Sequence, residues 1–110
     1  MTEPERPSRV WLLLGAKAGD NDQLEAIAAA LEELRPVTVA RRVLRFHRGE
    51  LLVTLLQTPS LLGLVPSART GIEPPWPQLV LTAGRRNEPV ARWIQRRSGG
   101  RTRLVHVGRP

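Results

Sequence analysis

The stretch VWLLLGAKAGDNDQ, Val10 to Gln23, decides how the chain folds. Its first five residues are continuously apolar, as suits a short strand covered on both faces. Gly15 ends the run. Asp20 stands where a helix N-cap belongs, and Gln23 three residues later completes a capping-box spacing. Leu24, Ile27, Leu31 and Leu34 then recur at helical intervals and give the predicted helix one apolar face, until Pro36 stops it. VTVA, Val37 to Ala40, reads as the next strand, because β-branched residues pack well on a pleated surface. The unit is βαβ, and its two strands should be parallel. Leu13 or Leu14, together with Ile27, are its expected core residues.

A second unit of the same kind lies downstream, in LVLTAGRRNEPVARWIQRRSGG, Leu79 to Gly100, followed by RLVHV. A strand is predicted over Gln78–Thr82. Asn87 is placed to cap a helix that carries Pro89 in its first turn, and Val90, Trp93, Ile94 and Arg97 share a face. Gly99 and Gly100 terminate it, and Arg103–Val107 forms the fourth strand. Between the units, residues 50–57 fit a helix better than a strand if the alternation continues. The short apolar piece at 60–65 reads as a helical turn or a lid, and suits core, a contact with a further lobe or an acceptor-lipid contact. Prolines 66, 74, 75 and 77 mark residues 66–77 as a stiff irregular connector. After a disordered tail over residues 1–8, residues 9–110 are therefore expected to form one small three-layer α/β domain with about four mostly parallel strands.

Composition narrows the possible functions. At 110 residues the chain has room for one domain. It has no cysteine, so disulfides and thiolate metal sites are excluded. The first apolar run is too short for a transmembrane span and follows a charged segment unlike a signal peptide. A cytoplasmic location is expected, with peripheral contact at the inner face of a membrane as a variant. The net charge of +7 is unevenly placed: arginines 85, 86, 92, 96, 97, 101, 103 and 109 face a single acid, Glu88, whereas residues 1–84 are balanced. Such a field attracts phosphate, nucleic acid or anionic lipid without selecting among them. Sixteen of the seventeen basic residues are arginine, which is also what a compositional bias would give.

The candidate site follows from the strand ends, because open α/β sheets bind ligands beyond the carboxyl ends of their strands. After the first strand come Gly15, Lys17, Gly19, Asp20 and Asn21; after the third, Gly84, Arg85, Arg86 and Asn87; after the fourth, Arg109. Helix N-termini and arginine forks both hold phosphate. Arg85 and Arg86 carry the most weight, since cations at a helix start are electrostatically disfavoured unless an anion offsets them. Each part also has a plain reading, in which the glycines only turn the chain and Lys17 is solvated. GAKAGD lacks the G-x-G-x-x-G pattern, and no acid follows the second strand, which argues against an NAD site; it also lacks the P-loop pattern. His47 and His106 have no metal-ligand spacing, so no metal and no cofactor are expected.

WLLLGAKAGDNDQLEAIAAAL and LVLTAGRRNEPVARWIQRRSGGRTRLVHVGRP resemble the N-terminal part of bacterial proteins related to the mitochondrial fission protein ELM1. The resemblance implies a Rossmann-like lobe, similar to the N-terminal lobe of a GT-B glycosyltransferase, truncated from a longer two-lobed parent. It further implies an acceptor-side role: Gly15, Lys17 and Gly19 form one half of a phosphate cradle, and Gly84, Arg85 and Arg86 the other. Asp20 or Asn21 stands near the position of the base, where similar transferases carry a histidine, and Asp20 is the candidate. The implied partners are a nucleotide-sugar and a phosphate-bearing or lipid-linked acceptor, with the isolated lobe catalytically silent. Two alternatives stay open. One is a non-catalytic protein- or membrane-interaction domain; the other is an electrostatic nucleic-acid binder, with no specific nucleic acid expected.

Overall fold

The computed structural model describes residues 7–45, 64 and 66–107. Its elements are β1 (Ser8–Leu14), α1 (Ala18–Leu34), β2 (Val37–Val43), α2 (Pro66–Arg69), β3 (Leu79–Ala83), α3 (Glu88–Arg97) and β4 (Arg103–Val107). The four strands form one sheet in the order β2-β1-β3-β4, with every neighbouring pair parallel. Strand order therefore runs outward in both directions from the β1–β3 pair. Right-handed crossovers then put α1 and α3 on opposite faces, and the core divides accordingly. Val10, Leu12, Leu81 and Ala83 pack with Leu24 and Ala28 of α1. Trp11, Leu13 and Val80 pack with Val90, Ala91 and Ile94 of α3 and with Leu44, Leu64, Ala68 and Ile72. The alternation along β1 and β3 is the two-residue period of a strand buried on both sides.

Several expectations are corrected. Ser8 belongs to β1 rather than to a tail, and β2 runs on to Val43. The third strand is shifted by one residue to Leu79–Ala83, while the fourth has the expected bounds. α1 starts at Ala18 with Lys17 at its N-cap, so Asp20 lies inside the first turn and the capping box with Gln23 does not form. Leu24 is fully buried and Ile27 partly so, but Leu34 is 79% exposed. Within the proline-rich connector, Pro66–Arg69 forms a short helix. The helix expected over residues 50–57 and the tail residues 1–6 lie outside the described residues. Of the 60–65 piece only Leu64 is described, and it is core.

The connector is pinned by aromatic and polar contacts. Trp76 meets Trp11 edge-on at 6.1 Å between ring centroids and Trp93 of α3 at 5.9 Å. Arg42 lies over Trp11 and donates its Nε to the Gly71 carbonyl at 2.9 Å, and Arg97 lies over Trp93. Gln78 bridges the amino ends of three strands: its backbone N–H donates to the Arg9 carbonyl, and its carbonyl accepts from Arg103. The buried Thr102 hydroxyl donates to the Pro77 carbonyl at 2.8 Å. On the opposite side, Arg41 of β2 forms a two-pronged pair with Glu25 of α1. The hydrogen bond from Arg41 holds the Glu25 carboxyl below its ordinary range. Whatever stability this adds is present above the unfolded-state pKa of a glutamate and lost as pH falls through the lowered folded value. Both side chains are well exposed, so salt screens the pair.

Burial sets the expected mutational ranking for α1. Leu24→Ala should cost about 2 to 5 kcal/mol, the range for a buried leucine. Ile27→Ala should cost less, and Leu34→Ala should stay within about 0.5 kcal/mol. Denaturant melts of the three variants check the ranking; a Leu34 effect equal to that of Leu24 would contradict the packing of α1 given above.

Candidate functional site

The carboxyl ends of β1 and β3 lie side by side, since Leu13 pairs with Thr82. Strand order reverses between these two strands, so this is the topological switch point of the sheet. Two loops leave it in opposite directions, one into α1 and one into α3. Each loop has a glycine, and each glycine faces a polar side chain from the other side of the switch point, Asn87 at the start of α3 and Asp20 in the first turn of α1. A Cβ on Gly15 would stand 3.2 Å from Asn87 Nδ2, and a Cβ on Gly84 would stand 3.2 Å from Asp20 Oδ2.

The Gly15 loop is closed from within α1. Asn21 accepts the Gly15 N–H at its Oδ1 and donates its Nδ2 to the Gly15 carbonyl, both at 2.9 Å. The side-chain amide thus reads the backbone as another peptide would, and it is consumed by the framework. Asn87 does a similar job across the switch point. Although it occupies the N-cap position of α3, it makes no side-chain cap bond. Instead its Nδ2 donates to the buried Leu13 carbonyl at 3.1 Å, and the residue is only 6% exposed. The buried carbonyl wins because an unmet acceptor there costs more than an uncapped helix end open to water. Asn21 and Asn87 were expected among the anion-binding residues; their amides hold the loops instead.

The other sequence-derived residues gather around this frame. Lys17 is exposed at the start of α1, and Gly19, one residue into that helix, has open space where a side chain would be. Gly84 takes φ +83°, a left-handed conformation that turns the chain from β3 toward α3. Arg85 and Arg86 follow it, both exposed. Asp20 in α1 and Glu88 in α3 supply an acid to each first turn, where a helix favours negative charge. Lys17, Arg85, Arg86 and the first turns of α1 and α3 thus all follow the carboxyl ends of β1 and β3, with the Asp20 carboxylate toward Gly84. Arg109 and His47 lie outside the described residues. Among the described residues no group of three or more histidines and acids could hold a metal ion, and no helix is long and apolar enough to cross a membrane.

Sequence reasoning located the loops but not the interlock between them, because β1–β3 adjacency is a long-range pairing with no local signal. The result is a Rossmann-like α/β domain with its loops meeting at the switch point. The chain belongs to the mitochondrial fission ELM1 family, whose model matches residues 18–110. That span includes α1, the Gly84 turn and β4, and begins just after Lys17. Comparison with curated proteins and with solved structures gave no match.

Gly84→Ala tests the turn. A left-handed alanine costs about 1 to 2 kcal/mol, and the facing Asp20 carboxylate, at the end of a flexible side chain, can swing aside. The loss should therefore persist in Gly84→Ala combined with Asp20→Ala. Thermal or denaturant melts measure it; full rescue by the second change would mean that crowding, not backbone conformation, requires the glycine.

Proposed function

We propose that the switch-point mouth binds the phosphate or diphosphate of a substrate, and that the domain serves as the acceptor-side lobe of a glycosyltransferase-like protein. The carrying observation is the reciprocal contact of the two loops, Gly15 on Asn87 and Gly84 on Asp20. It supports a reading in which Lys17 and the Arg85–Arg86 pair act on the same anion. In such a transfer the acceptor hydroxyl attacks the sugar carbon, its proton passes to a base, and the bond to the diphosphate breaks with the electron pair leaving on oxygen. Asp20 is the carboxylate suited to take the proton. Lys17, Arg85, Arg86 and the helix-start N–H groups are suited to stabilise the departing charge. A second lobe carrying a nucleotide-sugar belongs to this reading, as does a phosphate-bearing or lipid-linked acceptor.

A second reading has its own observation. Arg96, Arg97, Arg101 and Arg103 are exposed at the end of α3 and the start of β4, the amino edge of the sheet. This basic surface lies opposite the switch point and suits a general electrostatic contact with nucleic acid, protein or membrane.

Titration with inorganic pyrophosphate separates the two. Arg85→Ala should weaken binding by about 1.5 to 3 kcal/mol, the range for hydrogen bonds to charged groups. Arg101→Ala should change it little. Equal losses that vanish together at high salt would mean a diffuse basic surface and would remove the phosphate mouth.

A further inference from the structure

Three buried polar atoms on the α3 face take no part in the contacts above. Thr82 is 1% exposed, and its hydroxyl has no hydrogen-bond partner among the described residues. Both ring nitrogens of His106 are likewise buried and unpartnered. The two residues are register partners in the β3–β4 ladder. Strand alternation puts both on the face of Val80 and Leu104, which pack in the α3-side core. Native proteins rarely leave buried polar groups unmet, and neighbouring ones call for a common explanation. A bond between Thr82 and His106 would not suffice, because an imidazole has two nitrogens and one would remain unmet.

The position and the chemistry narrow what the partner is. Thr82 stands two residues before Gly84, at the strand end that opens into the Arg85–Arg86 turn, and His106 is the penultimate residue of β4. His106 is only partly buried as a whole, so it lies at the margin of the core. The buried polar residues among those described are Thr82, Asn87 and Thr102, none of them charged. An ionised group would find no buried counter-charge there. A neutral imidazole offers one donor and one acceptor, and the threonine hydroxyl offers both. The complement is a neutral group that also donates and accepts, which is a hydroxyl.

We propose that Thr82 and His106 form a subsite for a hydroxyl of the ligand whose phosphate is held at the Gly15 and Gly84 loops, so that the site prefers a phosphorylated polyol to inorganic phosphate. This rests on the phosphate-mouth reading of the preceding subsection. The loops hold the anion, and the Thr82–His106 pair reads the carbon skeleton attached to it.

The test follows the imidazole nitrogens of His106 and the backbone amides of Gly84 and Arg85 by NMR during titration of the chain with inorganic phosphate, glycerol 3-phosphate and free glycerol. Inorganic phosphate should move the loop amides and leave the ring unmoved. Glycerol 3-phosphate should move both and bind about fivefold more tightly, the scale of one net hydrogen bond. The near-isosteric Thr82→Val should abolish that preference while keeping affinity for inorganic phosphate, and Thr82→Ser should retain the preference. A ring that stays unmoved while the loop amides respond to glycerol 3-phosphate would overturn the subsite, as would an intact preference in Thr82→Val. If inorganic phosphate fails to move the loop amides, the phosphate mouth itself fails, and free glycerol decides the subsite alone: ring shifts support it and their absence overturns it. Should Thr82→Val melt below the measuring temperature, the wild-type and Thr82→Ser ring spectra decide on the same criteria.

Discussion

The parallel pairing of β1 with β3 is the contact on which the rest of the molecule depends. Four residue pairs, Val10–Leu79 to Leu13–Thr82, join two βαβ units that would otherwise be separate two-stranded pieces. Such pieces could each cover only one face. Joined, they produce two central strands with α1 on one side and α3 on the other, and Leu12, Leu13, Val80 and Leu81 become almost wholly inaccessible to solvent. The long connection between β2 and β3 adds little further closure cost, since that cost grows only logarithmically with length. The same pairing brings the two glycine loops together, so architecture and candidate site have a single origin.

Much of each unit was legible because its signals are local. Leu24 follows the short apolar strand at the spacing that buries a helix, Pro89 sits in the first turn of α3, and Gly99 and Gly100 end that helix at φ +72° and +81°. What failed was decided by distant partners. Asp20 has the composition of a cap, yet α1 begins two residues earlier and turns the carboxylate toward Gly84. Asn87 occupies the cap position, but a buried carbonyl 74 residues away claims its amide. Leu34 continues the apolar rhythm of α1, yet it is left exposed. For the site, residue types and loop positions were legible; the interlock between the loops was not, because it depends on which strands become neighbours.

The arginines, crowded together in the sequence, separate in space. Arg85 and Arg86 leave the carboxyl end of β3, whereas Arg97, Arg101 and Arg103 surround the opposite edge, because α3 returns the chain to the start of β4. A run that looks like one basic tract therefore becomes two surfaces on opposite ends of the sheet. Only the first adjoins the helix starts and the glycines. Of the two, the surface at the switch point is the one where helix starts, the feature that suits an anion, stand beside the arginines.

The docked connector also gives the domain an optical signature. Its three tryptophans, Trp11, Trp76 and Trp93, form one edge-on series, and there is no tyrosine. Ultraviolet absorption above the peptide band therefore belongs almost entirely to three indoles held in fixed mutual orientation. Coupled transitions of this kind give near-ultraviolet circular dichroism, which disappears when tertiary packing loosens even if the helices persist. Arg42 and Arg97, each over an indole at one end of the series, place a positive charge beside the outer chromophores and so tune their emission. The seating of the connector on the sheet and on α3 is thus written into the protein's own spectrum, and it can be followed without attaching a label.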